Sequence, residues 1–519
     1  HIERSLTKSE RGDRIVFEEQ NKALGIGFRY EWVPSEEFGW VRRAELWSLD
    51  GRPQTVDILD GLLDILPAGV DLITQQRASN LIDAYRHTEV HESSAHLAIY
   101  SMASLLTDRA EPAEALRANI VWRTGLPGKT HLSAEVIKQW RRGQSPPIQT
   151  HLRGKKGAYL LEASVSLKAD LAAQWSIVAD VALDSVAMTK LRRTLDQNDL
   201  GQRLGFSIDE TARGLARLVA AVDGPQRTGD RVVTVNHLSN ALFNGLRGGV
   251  FVDECRVPRD ELLNVVRLRH RAVAKRHADW IKALPDALNV SVLREKAASQ
   301  NDPDLSRLVD ETLPLSFGRR HGDPSRPWNT FSIRTRHPDG TRALNYEGNW
   351  RDIFQNWEAL AFSYPDFLPS MIAKFVNAST VDGFNPYRLS KTGIDWEVPD
   401  LDDPWSNIGY WGDHQIIYSL RLLEALRRYR PNELNDMLDD RRFSFGDVPY
   451  RVCAYEEMLA NPRDTIRFDE DKEAAIAERT RKMGQDGRLV QSGADVAHTH
   501  LWEKLLIPLL SKLSCLVVD

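Results

Sequence analysis

The chain has 519 residues, more than one ordinary domain holds, so two or three domains are expected. Hydrophobic residues make up 42% and charged residues 27%, enough apolar material for a substantial core. The net charge of −5 argues against a dedicated nucleic-acid binder, and no apolar run approaches the roughly 20 residues that span a bilayer.

The first residue is His1, and no apolar signal core follows it. Three cysteines occur, Cys255, Cys453 and Cys515, without CxxC spacing, so idle thiols are expected and no metal centre. So few cysteines in so long a chain suit a reducing compartment, and a cytoplasmic location is the expectation.

In chain order, the first 183 residues read mainly as β. Segments 14–17, 27–33, 40–48, 119–123, 158–166 and 175–181 are rich in Val, Ile, Trp and Tyr. Turn residues separate them, as in Asp50-Gly51 and Gly125-Leu126-Pro127-Gly128. Residues 71–87 read as a helix, and Pro146-Pro147 marks a loop or edge. Strands without regular alternation with helices favour a sandwich over a parallel sheet.

From about Asp184 the period changes to that of helices, at 184–195 and then 208–222, with Asp209 and Glu210 placed in the second helix's first turn. Gly224-Pro225 breaks the chain, which makes 184–225 a helical linker. Further helices are expected at 235–247, 260–284, 350–362, 369–376, 413–429, 472–482 and 499–513. In the last of these, Trp502, Leu505, Leu506 and Leu509 form an apolar stripe. The intervening 313–349 and 381–412 are too long for passive connectors and read as functional loops on a helical scaffold.

Two adjoining regions carry the chemistry. Residues 345–415 hold fourteen Phe, Trp and Tyr and a net charge of −7, more acidic than the chain as a whole. Just upstream, 313–342 is Arg-rich and includes Phe317-Gly318-Arg319-Arg320-His321-Gly322-Asp323. Pyranose rings present apolar C–H faces that pack on aromatic rings, while their hydroxyls pair with Asp, Arg and Asn. Arg319 and Arg320 offer an anion such as phosphate fork-shaped guanidinium donors, with His321 beside them. The plainer alternatives are core packing for the aromatic residues and a salt-bridged loop for the arginines.

Two motifs sharpen this reading. In Tyr346-Glu347-Gly348-Asn349-Trp350-Arg351-Asp352-Ile353-Phe354-Gln355-Asn356-Trp357, polar groups open a helix, with Arg351 and Gln355 on one face. Gly409-Tyr410-Trp411-Gly412-Asp413-His414-Gln415 repeats the design at the head of another apolar helix. N-capping alone would explain Asp413, but it does not explain the same design at two helix starts.

These stretches resemble the cellobiose phosphorylase-like enzymes. Trp350-Arg351-Asp352-Ile353-Phe354-Gln355-Asn356 is similar to that family's aromatic-Arg-Asp-x-x-Gln-Asp/Asn stretch. Asp382-Gly383, Lys391-Thr392-Gly393-Ile394-Asp395 and Trp411-Gly412-Asp413-His414 are similar to its sugar-holding loop and Asp-led helix. The resemblance implies an N-terminal β-supersandwich (1–183), a helical linker (184–225) and a C-terminal (α/α)6 toroid (226–519) that is incomplete in this chain. It further implies phosphorolysis or hydrolysis of glucoside-type bonds with inversion. Glu347, Trp350, Arg351, Asp352, Gln355, Asp402, Asp403, Trp411, Asp413 and His414 would line the sugar site, with Asp413 on the hydroxyls of the sugar beside the scissile bond.

The sequence departs from the family in two places. Asp402-Asp403-Pro404-Trp405 and Gly412-Asp413 compete for one role in the loop, and no Trp-Asn-Asp, the family's general-acid motif, occurs. The catalytic acid is therefore expected outside the given sequence, and the chain reads as a segment of a longer polypeptide. An inverting hydrolase would also need a base, for which Glu347, Asp352, Asp395, Asp402 and Asp403 compete. A non-catalytic glycan-binding protein of the same fold is the alternative from another class. No cofactor is expected, with inorganic phosphate as co-substrate. The expected partners are an oligosaccharide or glycoside and a second copy of the chain, with neither nucleic acid nor membrane.

Overall fold

The computed structural model describes residues 2–70, 72–91, 96–107, 110, 113–169, 171–316, 335–337, 341–383, 385, 388–396, 398, 416–462 and 466–515. The chain divides into two compact units, His1–Arg217 and Leu218–Asp519.

Among the described residues the first unit has twelve strands: β1 (Ile2–Lys8), β2 (Ile15–Asn21), β3 (Ile26–Ser35), β4 (Gly39–Ser48), β5 (Gln54–Ile65), β6 (Arg86–His91), β7 (Leu97–Met102), β8 (Ala118–Thr124), β9 (Lys129–His131), β10 (His151–Arg153), β11 (Gly157–Leu167) and β12 (Ala173–Leu183). Nine form an antiparallel sheet in the order β1-β2-β3-β4-β12-β8-β7-β6-β10, and β5-β11-β9 form a second. Side chains alternate between the faces of a strand, and here both faces of the central strands of the large sheet are covered. Ala44, Leu46, Val121, Trp175 and Ile177 meet Tyr159, Leu161 and Val165 of the small sheet. Their neighbours Val41, Ile120, Trp122 and Val178 pack instead with Leu195, Leu200, Leu204 and Ile208 of the following helices. A β-rich unit with two stacked sheets thus precedes the helices, as the periodicity predicts.

Several elements differ from expectation. The helix expected over 71–87 breaks at Ala78 into Leu72–Arg77 and Ser79–Tyr85, and the chain then enters β6. The helix expected from 208 begins at Leu200 and runs to Ala221, so Asp209 and Glu210 sit within it. Gly201 and Gly205 lower helix propensity in its first turns and hide that start from a sequence reading.

The second unit is mainly helical, joined by ladders two or three residues long. Helix Arg231–Gly248 packs on helix Trp350–Ser363, where the Trp357 indole Nε1–H donates to Gly248 O at 2.7 Å. A Cβ on Gly248 would lie 3.0 Å from Cβ of Asn356, so the glycine permits the close approach. The helix expected over 260–284 is three: Arg259–Arg269, Arg271–Arg276 and Ala278–Ala283. Its breaks fall at His270, whose ring accepts the Val273 N–H, and at His277, whose ring bonds Asp302 at 2.8 Å. Neither break carries Gly or Pro, which is why the pattern reads as continuous. Helices Val290–Ala298, Pro303–Asp310, Pro431–Asp439 and Tyr455–Ala460 add to those expected.

The core of this unit gathers Leu262, Val266, Leu305, Leu308, Phe354, Trp357, Met371, Ile372, Leu422 and Leu426. On helix Leu501–Cys515 the expected apolar stripe is split. Leu501 and Leu505 pack on the core, while Trp502, Leu506, Leu509 and Leu510 are exposed. Cys255 and Cys453 are free thiols. Among the described residues no helix is long and apolar enough to cross a membrane.

Candidate functional site

The strand Glu347–Asn349 leads directly into helix Trp350–Ser363. It pairs with Arg388–Ser390, which pairs with Gly393–Asp395, and Glu347, Gly348 and Asn349 oppose Ser390, Leu389 and Arg388. This three-stranded ladder joins two motif stretches that lie about forty residues apart in sequence, Tyr346–Trp357 and Lys391–Asp395. Gly393, at φ +145°, makes the tight return between the last two strands.

The outer edge of the ladder is charged. Asp395 pairs with Arg388 across the strands and accepts a hydrogen bond from Arg488 Nη1 at 2.9 Å. The Arg488 guanidinium also lies over the Trp396 ring, 4.9 Å from its centre, and the Trp396 indole donates to Glu473 at 2.8 Å. Asp395 is thus held in place by two guanidinium groups.

Beneath the ladder lies a buried network. Lys391 pairs with Glu261 and donates to Leu344 O at 2.8 Å. Lys374 donates to the carbonyls of Ser390 and Lys391, both at 3.4 Å, and lies 3.8 Å from Glu311. Glu311 accepts from Arg269 and from the Asn377 side-chain amide, each at 2.8 Å. Asp486 bridges Arg269 and Arg307, and Arg307 reaches Asp304 at 3.0 Å. A small cavity is lined by Arg269, Glu311, Lys374, Asn377, Gly393 and Asp486.

The electrostatics follow from burial and pairing. Burial, with Arg269 alongside, pulls the Lys374 amine down to about 7. Burial resists ionisation of Asp486 and Glu311, yet the neighbouring guanidinium groups keep both carboxyls below their usual range. Burial raises the Glu261 carboxyl, with Lys391 opposing the shift. The network therefore holds ordered charges under the ladder, a rigid floor for a polar site.

Of the sequence-predicted residues, Glu347 is half-buried on the ladder and Gln355 is exposed on the helix after it. Trp350, Arg351 and Asp352 occupy the first turn of that helix, and their side chains lie outside the described residues. Asp402, Asp403, Trp411, Asp413, His414, Arg319, Arg320 and His321 also lie outside the described residues. Sequence reasoning missed the floor. Arg269 and Asp486 are 217 positions apart, and the one local sign was the helical spacing of Asp304 and Arg307 on the buried helix Pro303–Asp310 and of Glu311 at its C-terminal end.

Residues 251–314 match the family model of glycoside hydrolase family 149 insertion domain 1. That segment supplies Glu261, Arg269, Arg307 and Glu311 to the network. No curated protein matches the chain. Among solved structures, heparinase III aligns at 12% identity and TM-score 0.20, over 35% of this chain and 22% of its own. A bacterial glucoamylase complexed with acarbose aligns at 10% identity and TM-score 0.29, over 84% of this chain and 68% of its own. A protein assigned as a kojibiose phosphorylase, from the human microbiome, aligns at 8% identity and TM-score 0.32, over 85% of this chain and 53% of its own. The chain thus spans about a fifth of the first and about half of the third.

Proposed function

We propose that the chain belongs to a carbohydrate-active enzyme that phosphorolyses glucoside-type bonds with inversion, resembling cellobiose phosphorylase. The observation that carries the reading is the match of residues 251–314 to a glycoside hydrolase insertion domain, whose charged residues support the ladder joining the two sugar-motif stretches. In this reading the helical unit is the sugar-holding part of an (α/α)6 toroid. Glu347, Trp350, Arg351, Asp352, Gln355, Asp402, Asp403, Trp411, Asp413 and His414 contact the sugar, and Arg319, Arg320 and His321 hold phosphate.

A phosphate oxygen attacks the anomeric carbon from the face opposite the leaving group. The bond to the bridging oxygen breaks, and a carboxylic acid protonates that oxygen, releasing a sugar 1-phosphate and a shortened acceptor. The proton donor is assigned to no residue of this chain. Phosphate replaces the activated water of an inverting hydrolase, so no second carboxylate is required.

The test is incubation of the full-length protein with α- and β-linked gluco-oligosaccharides, with and without phosphate. Sugar 1-phosphate of inverted anomeric configuration, formed only with phosphate present, is the expected product. Free sugar released without phosphate would make the protein a hydrolase, and binding without turnover would make it a glycan-binding protein.

A further inference from the structure

A cluster of metal-type side chains, His270, Asp304 and Asp495, lies beside the buried network and shares Asp304 with it. His270 stands between helices Arg259–Arg269 and Arg271–Arg276, Asp304 is in the first turn of Pro303–Asp310, and Asp495 lies on the tight hairpin Gln491–Ser492/Asp495–Val496. One potential ligand atom from each of the three lies within 4.8 Å of the others.

Carboxylates alone would mean little, but the imidazole is an independent sign. His270 is 1% exposed, and its Nε2 has no hydrogen-bond partner although it is shut away from solvent. A buried polar atom left in that state is costly and calls for a partner. His498 stands alongside, its Nε2 3.3 Å from Asp304 Oδ1.

The charge balance points the same way. Three carboxylates, Asp304, Glu311 and Asp486, face two guanidinium groups, Arg269 and Arg307, and one amine, Lys374, and Asp495 adds a fourth beside Asp304. Burial weakens that amine's hold on its proton, which leaves negative charge in excess.

We propose that His270, Asp304 and Asp495 bind one divalent transition-metal ion of the zinc or manganese class, with His498 orienting Asp304 from outside the ligand set. Bonds of about 2.0–2.1 Å place neighbouring ligand atoms about 3.3 Å apart, closer than the present spread. The exposed Asp495, two residues after Gly493, is the ligand free to close that gap. Ligation through Nε2 moves the ring proton of His270 to Nδ1 and gives up its long 3.4 Å contact with the Val273 N–H. Three protein ligands leave a position open to water or another small ligand.

The test uses the full chain stripped with EDTA, then titrated separately with zinc and manganese chlorides by calorimetry and by thermal melting. One ion per chain and a rise in Tm are expected. Asp495→Asn should abolish the tight site, and His498→Ala should weaken it about 10–100-fold, as loss of an orienting partner does. Both variants should melt like the parent in EDTA. Cobalt(II) added to the parent gives a readout that needs no variant, since a low-symmetry site of nitrogen and oxygen ligands should produce visible absorption bands. Absence of saturable binding, tight binding unchanged in both variants, or a cobalt spectrum identical to that of the aquo ion would each overturn the assignment.

Discussion

Lys374 shows how one side chain can set a pH dependence. Its ammonium is wholly buried, and burial together with Arg269 lowers its pKa from 10.5 to about 7. Between these two values the unfolded chain holds a proton that the folded chain has released. Stability should therefore rise with pH from about 7 to 10.5 and gain nothing from this residue below that window. Urea melts of the parent and of Lys374→Met at pH 7 and pH 9 measure the difference. The parent should gain more stability than the variant over that interval, and equal gains would place the effect elsewhere. Lys504 is similarly shut in: its Nζ donates to Ser379 O at 2.9 Å and lies 3.7 Å from the centre of the Phe445 ring, and burial pulls its pKa well down.

Among the elements, the pairing of β5 with β11 depends on a missing side chain. A Cβ on Gly61 would fall 1.9 Å from the backbone oxygen of Tyr159, next to the register shift between Gly157 and Tyr159. Backbone cannot yield as a flexible side-chain tip can, so Gly61→Ala should separate the strands locally. Because β11 also pairs with β9 and contributes Tyr159, Leu161 and Val165 to the sandwich core, loss of the first unit's fold is expected. A near-ultraviolet circular dichroism spectrum and a melt of the variant report it, and a parent-like Tm would show that the strand accommodates the methyl group. The helical unit has a counterpart in Gly248, which lets helix Arg231–Gly248 lie against Asn356 and Trp357.

For the molecule as a whole, Asp486 is the longest-range tie described. It joins the end of helix Arg259–Arg269 and the middle of helix Pro303–Asp310 to the turn after helix Glu470–Met483. Asp486→Asn would leave two buried guanidinium groups facing a neutral amide, a loss of about 3–5 kcal/mol for a broken buried ion network. Denaturant unfolding followed by Trp fluorescence measures it, and a change below about 1 kcal/mol would mean the network relaxes or admits water. Arg269 and Arg307 come from 251–314, so the segment that matches the insertion-domain model also helps hold the helical unit together.

The sequence by itself determined the order of β then α, the strands around Val41, Trp122, Leu161 and Ile177, and most of the long helices. Strands and helices announce themselves through local periods of 2 and 3.6, and burial here follows those periods. It also marked Tyr346–Trp357 as a polar, aromatic stretch and, through the family resemblance, Lys391–Asp395 as part of a sugar-holding loop. Only the tertiary structure decided that these two form one ladder, and that Arg269, Arg307, Glu311, Lys374 and Asp486 meet beneath it. It also decided the helix breaks at His270 and His277, where side-chain hydrogen bonds act without Gly or Pro. Ion pairs between residues far apart in the chain leave no period in the sequence. Their partners are chosen by the packing of whole helices, so that part of the site became visible only once the chain had folded.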